Sequence, residues 1–318
     1  MLVYRKGETN IGDYIQSLAA KQFFESVDIE VCREELNRIK EPVKLIMNGW
    51  FMHEPKNWPP SKNVFPKYVS FHITNHAKDT MLTKEAIAHF RRFEPIGCRD
   101  HFTKNILNKY GIKSYFSGCL TLTLKKEDYV IDGISSGIIF SDILFHKNDD
   151  FTKKSVLKRI RNPHKIVINL FRKKTENFYK KQKTKHIISK LIPKEIIRKS
   201  KKISNQNFKL KTHKEKFDEG ERLLSIYASA KLVVTSRIHV ALPCLAFGTP
   251  VIFIRPNRDI ERFDGIIDLF HAFTIEDILN TPKEELQKKF LQFSKANKKL
   301  HIPLAEQLKK DVCIFTEQ

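Results

Sequence analysis

The stretch KLVVTSRIHVALPCLAFGTPVIFI, residues 231–254, sets two apolar runs rich in β-branched residues on either side of a short segment with helical spacing. KLVVT and PVIFI predict buried strands, while Ile238, Leu242 and Leu245 recur on one face of a helix. Two strands joined by a helix of this length pair in parallel. This one stretch therefore predicts an α/β fold built on a parallel sheet.

The ends of that helix are marked by local residues. Ser236 is a good N-cap, so the helix is predicted to begin at Arg237 and to run to Phe247, with Gly248 as its end signal. Pro243 cannot donate a hydrogen bond to the carbonyl of residue 239, which predicts a kinked or short helix.

The same alternation of strands and helices extends over most of the chain. Strands are predicted at 2–5, 43–48 and 68–74, and helices at 82–93, 100–110 and from about residue 13. A second α/β unit starts at 137–144 and continues through helices at 218–229, 275–279 and 283–298.

Length and composition limit the class of protein. A chain of 318 residues, 41% of them hydrophobic, can form two ordinary domains with real cores. It has no apolar run approaching the ~18 residues of a membrane span and no signal peptide. Five scattered cysteines without a CxxC pair indicate a reduced, cytoplasmic protein without a zinc knuckle.

The net charge of +22 is concentrated in one segment. Residues 151–217 hold 23 Lys and Arg but only 3 Asp and Glu, and the remaining chain is nearly neutral. The basic character is therefore assigned to an insertion rather than to the fold.

Arg237 and His239 are predicted to lie in the first turn of a helix that follows the carboxyl end of a strand. Unpaired N–H groups and the helix dipole favour anions there, and ligands of open α/β sheets bind at this edge. An Arg at this position opposes the dipole but can grip a phosphate or carboxylate, and a His can transfer protons. The alternative is structural: Arg237 pairs with a nearby carboxylate and His239 is a satisfied junction residue.

Two other junctions between a strand and a helix share this geometry. Asn10, Gly12 and Asp13 follow the first strand, and Gly12 would let the backbone approach a ligand closely. Arg99 and Asp100 open the helix at 100, with Thr103 one turn further on. Ordinary helix capping and a local Arg–Asp pair explain the same residues without any ligand.

Aromatic and histidine side chains follow the strand at 43–48. Trp50, His53 and Trp58 could stack on a sugar face, although a rigid packed loop is the more economical interpretation. His72 and His76 have no decisive spacing.

With these junctions placed, the chain resembles the polysaccharide pyruvyl transferase family. The matching segments are NIGD at 10–13, RDHFT at 99–103 and TSRIHVALPCLAFGTPVIFI at 235–254. The family's Arg-x-His signature matches Arg237 and His239, its Arg-Asp signature matches Arg99 and Asp100, and a Ser common in the latter motif is Thr103 here. The glycine-rich loop of relatives is NGWFMH in this chain.

The resemblance implies two Rossmann-like domains in a GT-B-like arrangement with the active site in the cleft between them. We assign the N-terminal domain to 1–132 and the C-terminal domain to 133–318, with a basic insertion at about 145–190 and helices at the C-terminal end. It also implies transfer of an enolpyruvyl unit from phosphoenolpyruvate to two sugar hydroxyls, which gives a pyruvate ketal on a surface polysaccharide or its lipid-linked precursor.

The chemistry of this transfer suits the predicted residues. Phosphoenolpyruvate carries a phosphate and a carboxylate, so Arg237 and Arg99 are expected to clamp it. His239 is expected to act as general acid or base, and Asp100 or Asp13 to orient groups or accept the hydroxyl proton. The other predicted substrate-binding residues are Ser236, Asn10, Gly12, Thr103 and His213. Neither a metal nor a cofactor is expected, since the chain has no DxD motif and no clustered ligands.

Two other functions remain open at this stage. One is a GT-B glycosyltransferase that uses a sugar nucleotide, although the chain has no convincing E-x7-E motif. The other, suggested by charge alone, is nucleic-acid binding, for which no recognisable module is present. The basic residues of 151–217 interleave with Leu, Ile and Phe, which favours a peripheral patch on the anionic inner face of the cytoplasmic membrane over a merely solvated surface.

Overall fold

The computed structural model describes residues 1–130, 135–144, 182–257 and 260–317. Its strands form three sheets in which neighbouring strands pair in parallel. The predicted mixed α/β class with parallel sheets is therefore confirmed. The predicted domain boundary at 132/133 and positions 145–181 of the predicted insertion lie outside the described residues.

The first part of the chain forms a two-stranded ribbon and a four-stranded sheet. The ribbon pairs β1 (Leu2–Val3) with β2 (Val31–Cys32), and helix α1 (Ile11–Lys21) lies between them in sequence. The sheet contains, in spatial order, β3 (Val43–Phe51), β4 (Val64–Ile73), β5 (Ile96–Cys98) and β6 (Ser114–Phe116). Its helices are α2 (Lys78–Met81), α3 (Lys84–Arg92) and α4 (His101–Lys109).

The second part forms a five-stranded sheet. In chain order its elements are β7 (Gly137–Ser141), a helix through residues 182–191 (α5), α6 (Lys194–Lys199), β8 (Ser200–Ile203), α7 (His213–Ala228), β9 (Ala230–Thr235), α8 (Ile238–Ala246), β10 (Val251–Arg255) and β11 (His271–Thr274). The spatial order is β11-β10-β9-β7-β8. Helices α9 (Ile275–Asn280), α10 (Lys283–Phe293) and α11 (Ile302–Glu317) follow.

The basic segment is not wholly outside the fold, and for residues 182–217 the prediction of a separate insertion is wrong. Ile187, Leu191 and Ile192 are buried in a core cluster beneath the five-stranded sheet. The next stretch forms β8, which pairs with β7 and exposes Lys201 and Lys202 at the sheet edge. Lysines on an edge strand discourage pairing with other chains, which accounts for part of the local charge.

Several predicted boundaries shift for local reasons. The helix predicted at 82–93 is α3 and begins at Lys84, because Thr83 caps it by accepting a hydrogen bond from the Ala86 N–H, and the separate short helix α2 precedes it. Helix α7 begins earlier than predicted, at His213, where Thr212 and Glu215 form a capping box.

Helix α1 connects the two parts of the molecule. Its apolar residues share one buried cluster with α7, α8 and the C-terminal helix α11. Consequently the amino ends of α1 and α8 lie side by side. No described helix is long and apolar enough to cross a membrane.

Candidate active site

A cavity of about 660 Å³ opens at the carboxyl ends of the parallel strands. Its wall includes His72 at the end of β4 and Ser236, Arg237 and His239, which follow β9. Both large sheets therefore contribute to one cavity. The other charged or hydrogen-bonding side chains that line it are Arg5, Glu8, Thr9, Asn10, Asp13, Trp50, His53, Thr74, His76, Asn205, Gln206, Glu261 and Arg262.

Gly12 is the point at which two helix starts meet. Asn10 caps α1, and its Oδ1 accepts a hydrogen bond of 3.2 Å from the Gly12 N–H. A Cβ atom at residue 12 would lie 3.1 Å from Asn10 Oδ1, Asn205 Nδ2 and His239 Cβ. The absence of a side chain thus lets the start of α1 approach His239, as expected of a glycine needed for close packing.

Arg237 occupies the N-cap position of α8 and faces a carboxylate. Its Nε lies 3.1 Å from Asp142 Oδ2, which also accepts a hydrogen bond from the Asn205 N–H. Arg237 therefore forms an ion pair with a nearby carboxylate, as the structural interpretation of this residue expected. The same contact holds Arg237 at the wall of the cavity.

Ser236 does not cap α8, so that part of the prediction is wrong. Its hydroxyl donates to the Ile254 carbonyl at 2.6 Å and accepts from the Leu144 N–H at 2.8 Å. The side chain instead joins the end of β9 to β10 and to the turn after β7. Helix α8 runs only from Ile238 to Ala246 and contains Pro243, which agrees with the predicted short helix.

His239 is buried among positive charges. Burial, reinforced by Arg99, Arg262 and Arg237, holds its pKa well below the ordinary value for histidine. Its Nε2 has no hydrogen-bond partner among the described residues. The ring is thus a neutral imidazole with one nitrogen free to bind a ligand.

Arg99 is fully buried directly after β5. None of its guanidinium nitrogens has a hydrogen-bond partner within the described ranges, and its Nε lies 3.7 Å from Asp100 Oδ2. It does not line the cavity itself but lies behind it, close enough to lower the pKa values of His239 and His72. Burying an unsatisfied cation is costly, so such a group is expected where an anion is to be bound.

Asp100, Thr103 and His72 form a buried hydrogen-bonded group. Asp100 caps α4, and its Oδ1 accepts from the Thr103 N–H at 2.9 Å and from the Thr103 hydroxyl at 2.8 Å. Its Oδ2 lies 2.6 Å from His72 Nδ1. Asp100 has no exposed surface and does not line the cavity, whereas His72 does.

A second polar group surrounds Asp13. The guanidinium of the buried Arg33 lies 4.0 Å from the Asp13 carboxylate, contacts Glu34 and packs over the ring of Trp50. Burial raises the pKa of Asp13, and Arg33 opposes this effect. A carboxyl group whose pKa is raised toward neutrality is a better proton acceptor.

Glu8 faces the same end of the cavity. Its carboxylate accepts hydrogen bonds from the backbone N–H groups of Thr9 and Asn10 and lies 3.5 Å from His53 Nε2. Burial would raise the pKa of Glu8, but these contacts and Arg33 lower it to about 2. Glu8 is thus an anion that orders the loop before α1.

The structure brings most of the predicted site residues to one place. Asn10, Asp13, Ser236, Arg237 and His239 line the cavity. Gly12, Arg99, Asp100 and Thr103 lie directly behind its wall. His213 does not line it, because its Nδ1 is hydrogen-bonded to the Tyr14 hydroxyl at 2.9 Å.

The loop aromatics separate into two kinds. Trp50 lines the cavity, but Trp58 is buried in the core of the four-stranded sheet. His53 lines the cavity with its ring 4.4 Å from that of Trp50. The packed-loop interpretation therefore holds for Trp58, while Trp50 and His53 lie where a ligand in the cavity could contact them.

Four residues of this region, Glu8, Arg33, His72 and Arg262, were given no role from the sequence. Arg33 and Arg262 belong to short 3-10 helices outside any predicted motif. His72 lies at the end of a strand that was predicted, one strand away from Asp100 in the sheet. The sequence indicated His72 only through its location at the end of a predicted strand. In the sheet this strand lies next to the one that leads into Arg99 and Asp100.

Fold and site together define an α/β protein whose cavity at the carboxyl ends of its strands is lined by arginines, a neutral histidine and carboxylates. A model of the polysaccharide pyruvyl transferase family matches residues 10–258. The chain belongs to this family and is a transferase, and the family implies a polysaccharide acceptor. A search of curated proteins found no match.

Proposed function

We propose that this protein transfers a pyruvyl group from phosphoenolpyruvate to two hydroxyls of one sugar, on a surface polysaccharide or its lipid-linked precursor. The observation that carries the proposal is Arg99, a fully buried guanidinium with no hydrogen-bond partner among the described residues. A small ligand with two anionic groups, bound in the cavity in front of Arg99 and against Arg237, would supply the negative charge that this buried cation faces.

The donor end of the cavity is the end with the arginines. Arg237 and Arg262 line it and Arg99 lies behind it, so a phosphate and a carboxylate can each find a cation. The N–H groups at the start of α8 add a partial positive charge. Ser236, held between β9 and β10, fixes the backbone that presents Arg237.

His239 would contact the reacting part of the donor. Because its pKa lies well below neutrality, it is neutral in the free enzyme and can accept or donate one hydrogen bond at Nε2. Once a bound dianion offsets the surrounding arginines, the proton affinity of His239 rises, which suits a group that exchanges a proton during the reaction.

The acceptor end is formed by Trp50, His53, Glu8 and Asp13, all of which line the cavity. An aromatic ring beside carboxylates and amides provides the apolar face and the hydrogen-bonding groups that a sugar requires. Asp13, whose pKa is raised by burial, is suited to accept a hydroxyl proton. Asn10 and Gly12 would shape this wall.

We also propose that the two sheets belong to two Rossmann-like lobes in a GT-B-like arrangement, with this cavity as the cleft between them. Residues from the ends of both large sheets line it, which supports the arrangement. No metal or cofactor takes part in the proposed chemistry, in which arginines and helix starts supply the positive charge.

The choice of donor tests the proposal against a sugar-nucleotide glycosyltransferase. Thermal unfolding is measured with phosphoenolpyruvate, inorganic phosphate, pyruvate, and UDP- and CMP-sugars. Phosphoenolpyruvate is expected to raise Tm most, because it alone carries both anions on one small framework. Stabilisation by a sugar nucleotide but not by phosphoenolpyruvate would overturn the proposal.

We further propose that the basic face of the chain associates with anionic membrane surfaces, where lipid-linked precursors reside. Residues 151–181 of the predicted patch lie outside the described residues, but Arg198, Lys199, Lys201 and Lys202 are exposed on α6 and β8. Flotation with anionic and neutral liposomes tests this. Changing these four residues to Glu is expected to reduce recovery on anionic vesicles, and unchanged recovery would contradict it.

A further inference from the structure

His72 is the histidine whose surroundings fix both its orientation and its protonation. It is the penultimate residue of β4, opposite Trp50 of β3 in the sheet register. The register shifts just before it, where Ser70 adopts a φ of 56°. Bulges of this kind commonly re-aim a side chain next to a functional site, and here the strand end carries His72 to the cavity wall.

Hydrogen bonding determines which ring nitrogen carries the proton. His72 Nδ1 lies 2.6 Å from Asp100 Oδ2 and 3.2 Å from the Thr103 hydroxyl oxygen. The Thr103 hydroxyl donates its own hydrogen to Asp100 Oδ1 and accepts from the Ile73 N–H. Both neighbours of Nδ1 are therefore acceptors, so Nδ1 carries the hydrogen and Nε2 keeps its lone pair.

Asp100, which the sequence suggested as catalytic, cannot itself touch a substrate. It has no exposed surface and does not line the cavity, its Oδ1 accepts from Thr103, and its Oδ2 lies 2.6 Å from His72 Nδ1. Any effect of Asp100 on the reaction must pass through His72. This is the arrangement by which a buried carboxylate orients a histidine base.

We infer that His72 is the general base that accepts, through Nε2, the proton of the first sugar hydroxyl to attack, and that Asp100 and Thr103 are the positioning residues that hold it in this tautomer; Asp13 is left for the second hydroxyl. The inference rests on the proposed function. His239 is less suited to this step. Arg99 and Arg262 lower the pKa of both histidines, but His239 also faces Arg237 and has no carboxylate against its ring among the described residues, whereas Asp100 lies against His72.

In the proposed step the sugar oxygen forms a bond to C2 of phosphoenolpyruvate while its proton passes to His72. The π electron pair of the C2–C3 double bond takes a proton from His239, protonated once the dianion has bound, to form a new C3–H bond, and proton exchange with solvent then returns both histidines to their starting states. The second hydroxyl then attacks C2, the C2–O bond to phosphate breaks, and phosphate leaves with that electron pair. Over the whole reaction the two protons lost by the hydroxyls are matched by one gained by the C3 methyl group and one gained by the phosphate.

The test compares His72→Gln and Asp100→Asn with a matched control. His89→Gln removes another buried histidine of the same half of the molecule, whose Nε2 is hydrogen-bonded to Tyr68 away from the cavity. For each variant kcat, the KM for phosphoenolpyruvate, its Kd and the Tm are measured with an aryl glycoside acceptor. Wild-type activity over pH 4–8 is compared with that of each variant.

His72→Gln is expected to lower kcat by about 10²–10⁴-fold while the Kd for phosphoenolpyruvate stays within about threefold. Asp100→Asn keeps the helix cap through its amide oxygen but presents an N–H to His72 Nδ1. The histidine then carries its proton on Nε2, so kcat falls in the same way with Tm retained. The control keeps wild-type kcat.

The pH profile separates a base from a merely structural residue. Wild-type kcat/KM is expected to decline at acidic pH as His72 becomes protonated. In His72→Gln this acidic decline of kcat/KM is expected to disappear. A kcat within threefold of wild type in His72→Gln, or a loss confined to Kd, would overturn the inference. If His72→Gln fails to fold, the same kcat and Kd criteria are applied to Asp100→Asn, and either of these outcomes in that variant would overturn the inference.

Failure of the proposed function gives a different result. In that case the wild-type protein neither binds phosphoenolpyruvate nor releases phosphate from it, whichever residue stands at 72, and the step assigned to His72 is overturned as well. Ketal formation by the wild type with an unimpaired His72→Gln variant removes only the inference.

Discussion

At the scale of single residues, Arg99 shows how binding and stability oppose each other. A buried guanidinium with no hydrogen-bond partner among the described residues destabilises the ligand-free protein, whereas an anion bound in the cavity in front of it supplies an opposite charge. Helix α4 and strand β5 fix its backbone, and the Arg99 N–H donates to the Phe71 carbonyl at 2.9 Å. The backbone thus positions the Arg99 guanidinium before the ligand binds, although this position is energetically unfavourable in the ligand-free protein.

Arg99→Met is therefore expected to leave the Tm of the ligand-free protein unchanged or higher, because an apolar side chain of similar length replaces an unsatisfied cation. The same change should weaken phosphoenolpyruvate binding by roughly tenfold or more, since the positive charge directly behind the binding site is lost. Calorimetry and thermal unfolding measure both effects. Arg198→Met, at an exposed position of α6, is the control. A lower Tm with unchanged affinity would show that Arg99 serves structure only.

At the scale of elements, the site depends on how closely α1 approaches α8. Gly12 and Gly220 both lie inside helices, and a Cβ at either would meet a neighbour at 3.1 Å. At Gly220 that neighbour is the end of the flexible Leu18 side chain. At Gly12 three atoms lie at this distance, two of them belonging to the capping and bridging residues Asn10 and Asn205.

Gly12→Ala is expected to push α1 away from His239 and to lower kcat/KM by about tenfold or more. Gly220→Ala, in contrast, should be neutral or should stabilise by up to about 1 kcal/mol, because alanine favours the helix and Leu18 can move. Kinetics and thermal unfolding of the two variants check this. Equal activity in both would contradict the proposed role of the α1–α8 contact.

The elements themselves could largely be predicted from sequence, since apolar periodicity and caps such as Asp100 are local. Ser236 shows the limit, because its hydroxyl bonds to Ile254 on the next strand rather than to its own helix. His72 shows the same limit at the site. Its partner Asp100 is 28 positions away, and only sheet order and a bulge bring the two together.

At the scale of the whole molecule, buried histidines make stability depend on pH. Burial lowers the pKa values of both His72 and His89 to about 4 and that of His239 well below its ordinary value. For a histidine whose folded pKa is depressed, the unfolded chain binds the proton first as the pH falls. The stability contributed is therefore fully present above about pH 6.5 and is lost as the pH falls from about 6.5 toward 4.

The protein is accordingly expected to be less stable at pH 5 than at pH 7.5, with about 2 kcal/mol of the difference due to His89. His89→Gln lacks this titration, so its stability should depend less on pH than that of the wild type. Urea unfolding at the two pH values measures the difference. A variant with the wild-type pH dependence would show that His89 is not responsible.

The central claim is that the arginine-rich cavity uses phosphoenolpyruvate to build a ketal on a sugar. The most direct measurement incubates the wild-type protein with phosphoenolpyruvate and a panel of aryl and lipid-linked glycosides, and quantifies both released phosphate and product by mass spectrometry. The account predicts one phosphate released for each pyruvate ketal formed, with both products abolished in Arg99→Met. Ketal-free phosphate release, or glycosyl transfer from a sugar nucleotide in place of ketal formation, would contradict it.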